Sequence, residues 1–265
     1  MPAHRSLAIA VVALLAVLGA GAECRADDPN AADIMKKQRE VHRVKDEEER
    51  QALKLTSKGG ATKERKLIRY LLSGSGDLDK ILVRFTAPRD VENTALLTWE
   101  GKDGADDQWL YLPTVKKPKR IAASGKKNRF MGTDFAYEDL RPENVAANRY
   151  EMVKSEAVDG VECFVIDATP ATERQAADSG YSRRRIWVRK DTLVTVKREY
   201  YDKQAKLEKV ETHRKLVNLA GPAWRADEIE MQDVVNGTRT LIVVESRAVN
   251  RGLKDDFFTE TELIR

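Results

Sequence analysis

Histidine and cysteine, which commonly act in catalysis and bind transition metals, are few in this sequence and lie far apart. The three histidines are His4, His42 and His213, and the two cysteines are Cys24 and Cys163. None of them stands in a metal-binding or catalytic spacing such as H-E-x-x-H, C-x-x-C or G-x-S-x-G. We therefore expect no transition-metal site, no cofactor and no catalytic residue.

Carboxylates are abundant, with 43 Asp and Glu residues, but no pair of them is marked by its position. The turn at residues 101–107, "GKDGADD", carries acids and glycines that would suit calcium. It lacks the ligand ladder and closing Glu of an EF-hand loop, which favours a solvated hairpin. A glycosidase needs only a pair of acids, so an enzyme is an unsupported alternative.

The N-terminus indicates export. A basic start, "MPAHR", precedes an apolar stretch at residues 7–18 and an A-x-A-like site at Ala20, Gly21 and Ala22, as in secretory signal peptides. The apolar stretch is shorter than the roughly 20 residues of a membrane span. We predict a signal peptide at residues 1–22, with Ala26 as a second cleavage point and an uncleaved anchor as the alternative.

The export signal affects how the charges and cysteines are interpreted. With 47 Lys and Arg against 43 Asp and Glu, the chain is too close to neutral to indicate nucleic acid as a partner. Cys24 lies next to the cleavage point and follows Glu23, which is not typical of a lipid-modified cysteine. Cys163, inside the apolar run "ECFVIDA", is predicted to be a buried, inert thiol. The mature protein is expected to be soluble and exported.

One helix is predicted before the strands begin. Asp28 and Pro29 suit the N-cap and the first helical position. The partly apolar stripe that follows at helical spacing consists of Ile34, Met35, Gln38, Val41 and His42. A second, short amphipathic helix is expected at the C-terminus, in "DDFFTETELIR".

Between these helices the apolar residues alternate with period two, which predicts a meander of about ten or eleven strands. Gly59-Gly60, Asp159-Gly160 and Asn236-Gly237 indicate tight hairpins. No βαβ alternation and no linker interrupts the pattern, so we predict one domain at residues 27–265. An antiparallel sheet of this size should curl into a half-open barrel, with the N-terminal helix over its mouth or inner face.

A basic segment follows a short apolar stretch in the middle of the chain. Residues 109–113 read "WLYLP", and residues 116–129 carry seven cations and no acid. The basic segment could be a solvated loop or edge strand, where lysines discourage edge-to-edge pairing. It could equally bind anionic head groups or an acidic protein. The candidates for such a basic rim are Lys116, Lys117, Lys119 and Arg120.

The next stretch, "FMGTDFAYEDL" at residues 130–140, is rich in aromatics without clear strand or helix spacing. Together with "WLYLP" and "KKPKRI" it resembles the outer membrane lipoprotein-sorting protein family, whose members are similar to the lipoprotein carriers LolA and LolB. The resemblance extends from the signal peptide through "FTAPRDVENTALL" to "RIWVRKDTLVTVKREYYDKQAKL". The family motif has serines where this chain has Arg129, Thr133 and Ala136, and the frame is kept.

The resemblance implies a mainly β, LolA-like half-open barrel with helices over its mouth, in the periplasm. It also implies an apolar cavity that holds the acyl chains of lipids or lipoproteins, and a link to inner-membrane transporters of the RND type. The ligand-binding candidates, in the cavity or its lid, are Trp99, Trp109, Tyr111, Phe130, Met131, Phe135 and Tyr137. Ordinary core packing is the alternative for each of them.

A second function of a different class fits the same sequence. The curved sheet could be a periplasmic sensor or adaptor that binds a protein partner, such as an RND-type transporter or a stress regulator. A cavity with room for a ligand would favour the carrier, and a filled interior with an exposed apolar patch would favour the adaptor.

Overall fold

A computed structural model describes residues 30–74, 78–102 and 106–265 of the protein. Three helices lie among them, at α1 Ala31–Val41, α2 Glu173–Asp178 and α3 Glu260–Leu263. The strands are β1 Asp46–Thr56, β2 Thr62–Ser73, β3 Asp79–Ala87, β4 Ala95–Trp99, β5 Asp107–Tyr111, β6 Pro118–Arg120, β7 Asn148–Val158, β8 Val161–Pro170, β9 Arg183–Arg189, β10 Thr195–Tyr201, β11 Leu207–Ala220, β12 Ala223–Asp233 and β13 Thr238–Val249. The predicted signal peptide and Cys24 lie outside the described residues.

All thirteen strands form one antiparallel sheet in the order β6-β5-β4-β3-β2-β1-β13-β12-β11-β10-β9-β8-β7. Sequential strands are neighbours everywhere except between β6 and β7, and at the centre β1 pairs with β13 as well as with β2. The edge strands β6 and β7 do not pair with each other, so the sheet is curved and unclosed, which confirms the half-open architecture. The strand number exceeds the ten or eleven expected, and a short strand lies within the basic segment.

One of the three predicted hairpin turns has the backbone of a two-residue hairpin: Asp159 and Gly160 have φ +49° and +78°. The other two turns are longer than predicted, and only the second residue of each predicted pair has a positive φ, +85° at Gly60 and +68° at Gly237. Their loops span residues 57–61 and 234–237. The Asp233 carboxylate accepts hydrogen bonds from the backbone N–H groups of Val235 and Asn236, which stabilises the second of these loops.

Helix α1 begins two residues later than predicted. Its N-cap is Asn30, whose side chain accepts a hydrogen bond from the Ala32 N–H at 2.8 Å, and the predicted cap Asp28 lies outside the described residues. Ile34 and Met35 of the predicted stripe are buried against Ile166, Ile186 and their neighbours on β8 and β9. The helix therefore lies on the inner face of the sheet at the β7–β9 end.

The rest of the inner face is covered by the connection between β6 and β7. Phe130 and Phe135 of this connection pack with Phe85, Leu67 and other inward-facing residues of β1–β3, β12 and β13. On the outer face, Phe258 and Leu263 of the C-terminal segment pack on β3–β5. The short C-terminal helix predicted from the sequence is present as α3, preceded by a 3-10 turn at Asp255–Phe257.

Cys163 is fully buried on the outer face beside Val165 and Trp187, as predicted. Burial raises the pKa of its thiol, which keeps it protonated and unreactive. Among the described residues, none of the helices has both the length and the apolarity needed to cross a bilayer.

Candidate functional site: an inner cavity with a charged wall

An inner cavity of about 370 Å3 lies between the concave face of the sheet, helix α1 and the β6–β7 connection. We call it the inner cavity. Pockets that bind small ligands usually measure about 300–1,000 Å3, so it has room for one small ligand or one acyl chain. Met35 and Gln38 of α1 form one side, and Phe130, Phe135 and residues up to 143 form another.

One part of the inner cavity is apolar. Leu53 on β1, Leu67 and Leu71 on β2 and Val83 on β3 face it because they share one face of the pleated strands. Phe130 stacks on Phe85 with ring centroids 5.5 Å apart and so completes this wall. The apolar wall can accept hydrocarbon but offers it no polar group.

The same face of the sheet also carries a charged wall, first of all at Glu47 and Glu49 of β1. Arg225 donates a hydrogen bond to Glu47 at 3.0 Å, and Arg247 lies 2.9 and 2.8 Å from the two carboxylates. Burial and the neighbouring Glu49 raise the pKa of Glu47. At Glu49, burial opposes ionisation, but Arg69 and Arg247 outweigh it and lower the pKa of the carboxyl group. These charges are fixed and mutually compensated.

A second charged cluster surrounds Glu211 on β11. Its carboxylate contacts Arg198 at 3.0 Å and His213 at 2.5 Å, and it accepts a hydrogen bond from the Tyr200 hydroxyl. Burial opposes ionisation of Glu211, yet Arg198 and His213 outweigh it, so its pKa is lowered. Arg198, Glu211 and His213 all line the inner cavity.

His42, at the C-terminus of α1, also lines the inner cavity. Its Nδ1 accepts a hydrogen bond from the Trp224 backbone N–H at 3.2 Å. Burial lowers the pKa of His42, and the carbonyl of Leu193 offsets this only in part. A neutral imidazole with its proton on Nε2 follows from that hydrogen bond.

Residues 139–143 separate the inner cavity from a second one. Asp139 is buried and accepts hydrogen bonds from the Ala136 N–H at 2.7 Å and the Tyr181 hydroxyl at 2.9 Å, with Lys209 at 3.4 Å. Burial raises the pKa of Asp139 to about 6, although Lys209 partly offsets it. Glu143 holds the other end of this strap through Arg184, at 2.6 Å.

The second cavity, of about 700 Å3, reaches from the β5–β6 edge to the β7–β8 edge. We call it the seam cavity, because Asp107 and Arg120 lie at one unpaired edge of the sheet and Asn148 and Pro170 at the other. Residues 139 and 141–143 and Arg198 line both cavities. Residues 139–143 are thus the thin barrier between the seam cavity and the inner cavity.

The predicted ligand-binding aromatics fall into two groups. Phe130 and Phe135 line the inner cavity, and Met131 and Tyr137 pack against the core beside them. Trp99, Trp109 and Tyr111 lie on the outer face under Phe258 and Leu263, and they line neither cavity. Strand pairing explains the division, because Trp109 opposite Leu97 points away from the face that carries Leu96 and Leu110.

The predicted basic rim lies apart from the inner cavity. Lys116, Lys117 and Lys119 are exposed and line neither cavity. Arg120 lines the seam cavity and forms an ion pair with Asp107. Arg129, at the end of the basic segment, pairs with Asp134 and Asp233 and fixes the connection to the sheet.

The charged residues of the inner wall were not among those predicted from the sequence. A signal for them exists, because period two places Arg69 between Leu67 and Leu71 and places Glu49 on the same face as Leu53. Charges in step with core leucines indicate a buried polar wall. Among the residues the structure describes, no group of His, Cys, Asp and Glu side chains has the arrangement of a metal site.

Comparison with known proteins gives one family model and several solved structures. The family model, described as an uncharacterized protein, matches residues 77–265. No curated protein matches the chain. A structure of a DUF1329 family protein from Desulfovibrio piger is 28% identical, with a TM-score of 0.82, and the match covers 88% of this chain and 97% of that one.

Two further solved structures are similar to this chain. A LolA superfamily protein from Nitrosomonas europaea has a TM-score of 0.70 at 19% identity, over 89% of this chain and 100% of that one, and so shares the fold. A domain assigned to outer membrane lipoprotein sorting, from Vibrio parahaemolyticus, is 30% identical, with a TM-score of 0.84, over 89% of this chain and 98% of that one. The chain therefore belongs to the outer membrane lipoprotein-sorting protein family.

Proposed function

We propose that the protein is a periplasmic carrier that holds an acyl chain of a lipid or lipoprotein in the inner cavity. The observation that carries this proposal is the cavity itself, which lies between α1, the β6–β7 connection and the sheet and has apolar side chains of β1–β3 in its lining. Family membership supports it, since a similar structure is assigned to lipoprotein sorting. Phe130 and Phe135 are the predicted ligand-binding residues that would contact the chain.

The energetics of such binding are favourable. Each methylene removed from water contributes about 0.8 kcal/mol, so even a partly buried acyl chain can be held firmly. A carrier must also release its cargo. Helix α1 packs through Ile34 and Met35 and contacts Glu100 through Arg39. Displacing this one short element, with its ion pair, would open the inner cavity.

The first test is mass spectrometry of organic extracts of the protein, purified from the periplasm without detergent. We expect a lipid or acylated peptide at near one copy per chain. Empty protein that also fails to bind a fluorescent acylglycerol would overturn the carrier function.

A cavity-filling variant makes the test specific to the site. Ile229 lines the inner cavity on β12, and Ile229→Phe should reduce binding of the fluorescent acylglycerol at least about tenfold because the larger ring occupies the space of the chain. Val243→Phe is the matched control, since Val243 lies on β13 next to Ile242 and faces the other side of the sheet. Equal binding by the two variants would place the ligand elsewhere.

The adaptor function is the second candidate, and one observation favours it. Leu207, Val234 and Val235 are exposed at one end of the sheet, where Val234 donates a backbone hydrogen bond to Glu208. Exposed apolar groups of this kind are typical of protein contacts. Chemical crosslinking in the periplasm tests it. A specific RND-type transporter crosslinked to lipid-free protein, and lost in Val235→Ser, would favour the adaptor over the carrier.

A further inference from the structure

The charged wall of the inner cavity is balanced. Of the residues that the structure describes, six arginines and six carboxylates line the cavity. Each of the six carboxylates has a cationic partner within 4 Å, as Arg225 does for Glu47, Arg39 for Asp79 and Arg184 for Glu143. The negative charge of each of these carboxylates is therefore compensated by a nearby cation.

Carboxylates likewise contact Arg39, Arg69, Arg141, Arg198 and Arg225, for example Glu100 at 2.6 Å from Arg39 and Asp106 at 2.5 Å from Arg141. Arg43 donates a hydrogen bond to the Gly74 carbonyl. The lysines of the predicted basic rim cannot add a positive charge here, because they do not line the cavity. A ligand that brought its own net charge into the cavity would bury it without a free counter-ion, which is costly.

The wall nevertheless has unused hydrogen-bonding capacity of both kinds. Among the described residues, buried Asp79 Oδ1 and Arg198 Nε have no hydrogen-bond partner, and both residues line the inner cavity. The first is an acceptor and the second a donor. Such groups are best satisfied by a ligand that both donates and accepts hydrogen bonds, such as a hydroxyl, an ester with a free hydroxyl or an amide.

We infer that the inner cavity selects an amphiphile whose buried polar part is uncharged, of the acylglycerol or fatty amide class, over fatty acids and acidic phospholipids. This inference rests on the proposed carrier function and adds the chemical class of its ligand. The apolar side chains would contact the hydrocarbon chain. The charged wall, whose charges compensate each other, would form hydrogen bonds with the neutral hydroxyl, ester or amide.

The experiment compares three ligands with the same lauroyl chain: 1-lauroylglycerol, laurate and lauroyl lysophosphatidylglycerol. Each displaces a fluorescent acylglycerol from the full protein at about pH 8, where the fatty acid is ionised. We expect 1-lauroylglycerol to bind at least about tenfold more tightly than either anion. Equal or tighter binding of an anion overturns the inference but leaves the carrier function standing. Binding of none of the three would instead contradict the carrier function.

A charge variant tests the physical cause. Asp79→Asn removes one negative charge from the wall, while Arg39 keeps its contact with Glu100. We expect the preference for 1-lauroylglycerol over laurate to fall by about tenfold. Asp255→Asn is the matched control, because Asp255 is exposed and lies in neither cavity wall. An unchanged preference in the folded Asp79→Asn variant would overturn the role of charge balance.

Discussion

Two different covers lie on the concave face of the sheet, and they are held to different degrees. Helix α1 covers β7–β9 through a small apolar contact around Ile34 and Met35. Its polar contacts are those of Gln38 with the Leu193 carbonyl and of Arg39, in its last turn, with Glu100 at 2.6 Å. The β6–β7 connection covers the rest of the concave face. It is held by aromatic side chains and by buried carboxylates, above all those of Asp134 and Asp139.

This difference indicates which of the two covers can move more readily. Buried carboxylates that accept several hydrogen bonds fix a segment in one position, because any displacement leaves charged groups unpaired. Helix α1 has one ion-pair group, at Arg39, and is otherwise held by an apolar contact, which loses area gradually and regains it when the helix returns. We therefore expect α1 to be the mobile lid and residues 128–140 to form a fixed wall.

The largest effect is expected at Asp134. Its carboxylate accepts hydrogen bonds from the Thr238 and Thr240 hydroxyls at 2.5 and 2.7 Å and contacts Arg129 at 3.2 Å. Asp134→Ala leaves these buried groups unpaired and should lower the free energy of unfolding by about 4 kcal/mol. Urea denaturation measures this loss. Asp90→Ala, at an exposed position, should change it by less than about 0.5 kcal/mol. If Asp134→Ala lowered the free energy of unfolding as little as Asp90→Ala, residues 128–140 would not be fixed in the way proposed.

The second effect is a pH dependence that arises from Asp139. Its pKa is about 6 in the folded chain and 3.8 in the reference state, so the folded protein binds the proton more tightly. The contribution of Asp139 to the free energy of unfolding is fully present below pH 3.8 and is lost as the pH rises through about 6. This loss amounts to roughly 3 kcal/mol.

The comparison variant is Asp139→Asn, which does not titrate. Between about pH 4 and pH 7 the wild type should lose stability relative to this variant, as measured by urea denaturation at each pH. A constant difference between the two proteins over this range would show that Asp139 does not titrate as the buried geometry requires.

The sequence allowed the strand meander, the curved unclosed sheet and the inner position of α1 to be predicted. Alternation and turn residues such as Asp159-Gly160 are local signals, so they survive in a single sequence. The division of the aromatics was not predictable, because whether Trp109 or Leu110 faces inward depends on pairing with β4. The balanced wall depends on contacts between distant strands, such as Glu47 with Arg225, which no local pattern specifies.

A substitution in helix α1 should loosen the helix without loosening residues 128–140. Ile34→Ala removes buried contacts with β8 and β9 and should cost about 2 kcal/mol. Hydrogen exchange should become faster in residues 31–41 and stay unchanged in residues 128–140. Lys37→Ala, on the exposed side of the same helix, is the control and should leave both segments unchanged. Faster exchange in residues 128–140 would mean that the two covers move together.

The smallest effect is expected at the exposed lysines of the basic segment. Replacing Lys116, Lys117 and Lys119 together by Ala should change the free energy of unfolding by less than about 0.5 kcal/mol. Affinity for a fluorescent acylglycerol should also be unchanged, because none of the three lines the inner cavity. Their charge would instead act at an anionic membrane surface, where each cation contributes about 1 kcal/mol. The variant should therefore bind acidic vesicles more weakly while it keeps its acylglycerol. A loss of acylglycerol affinity would place the basic segment at the mouth of the cavity, as its position in the sequence first indicated, and would make the wall less rigid than its buried carboxylates imply.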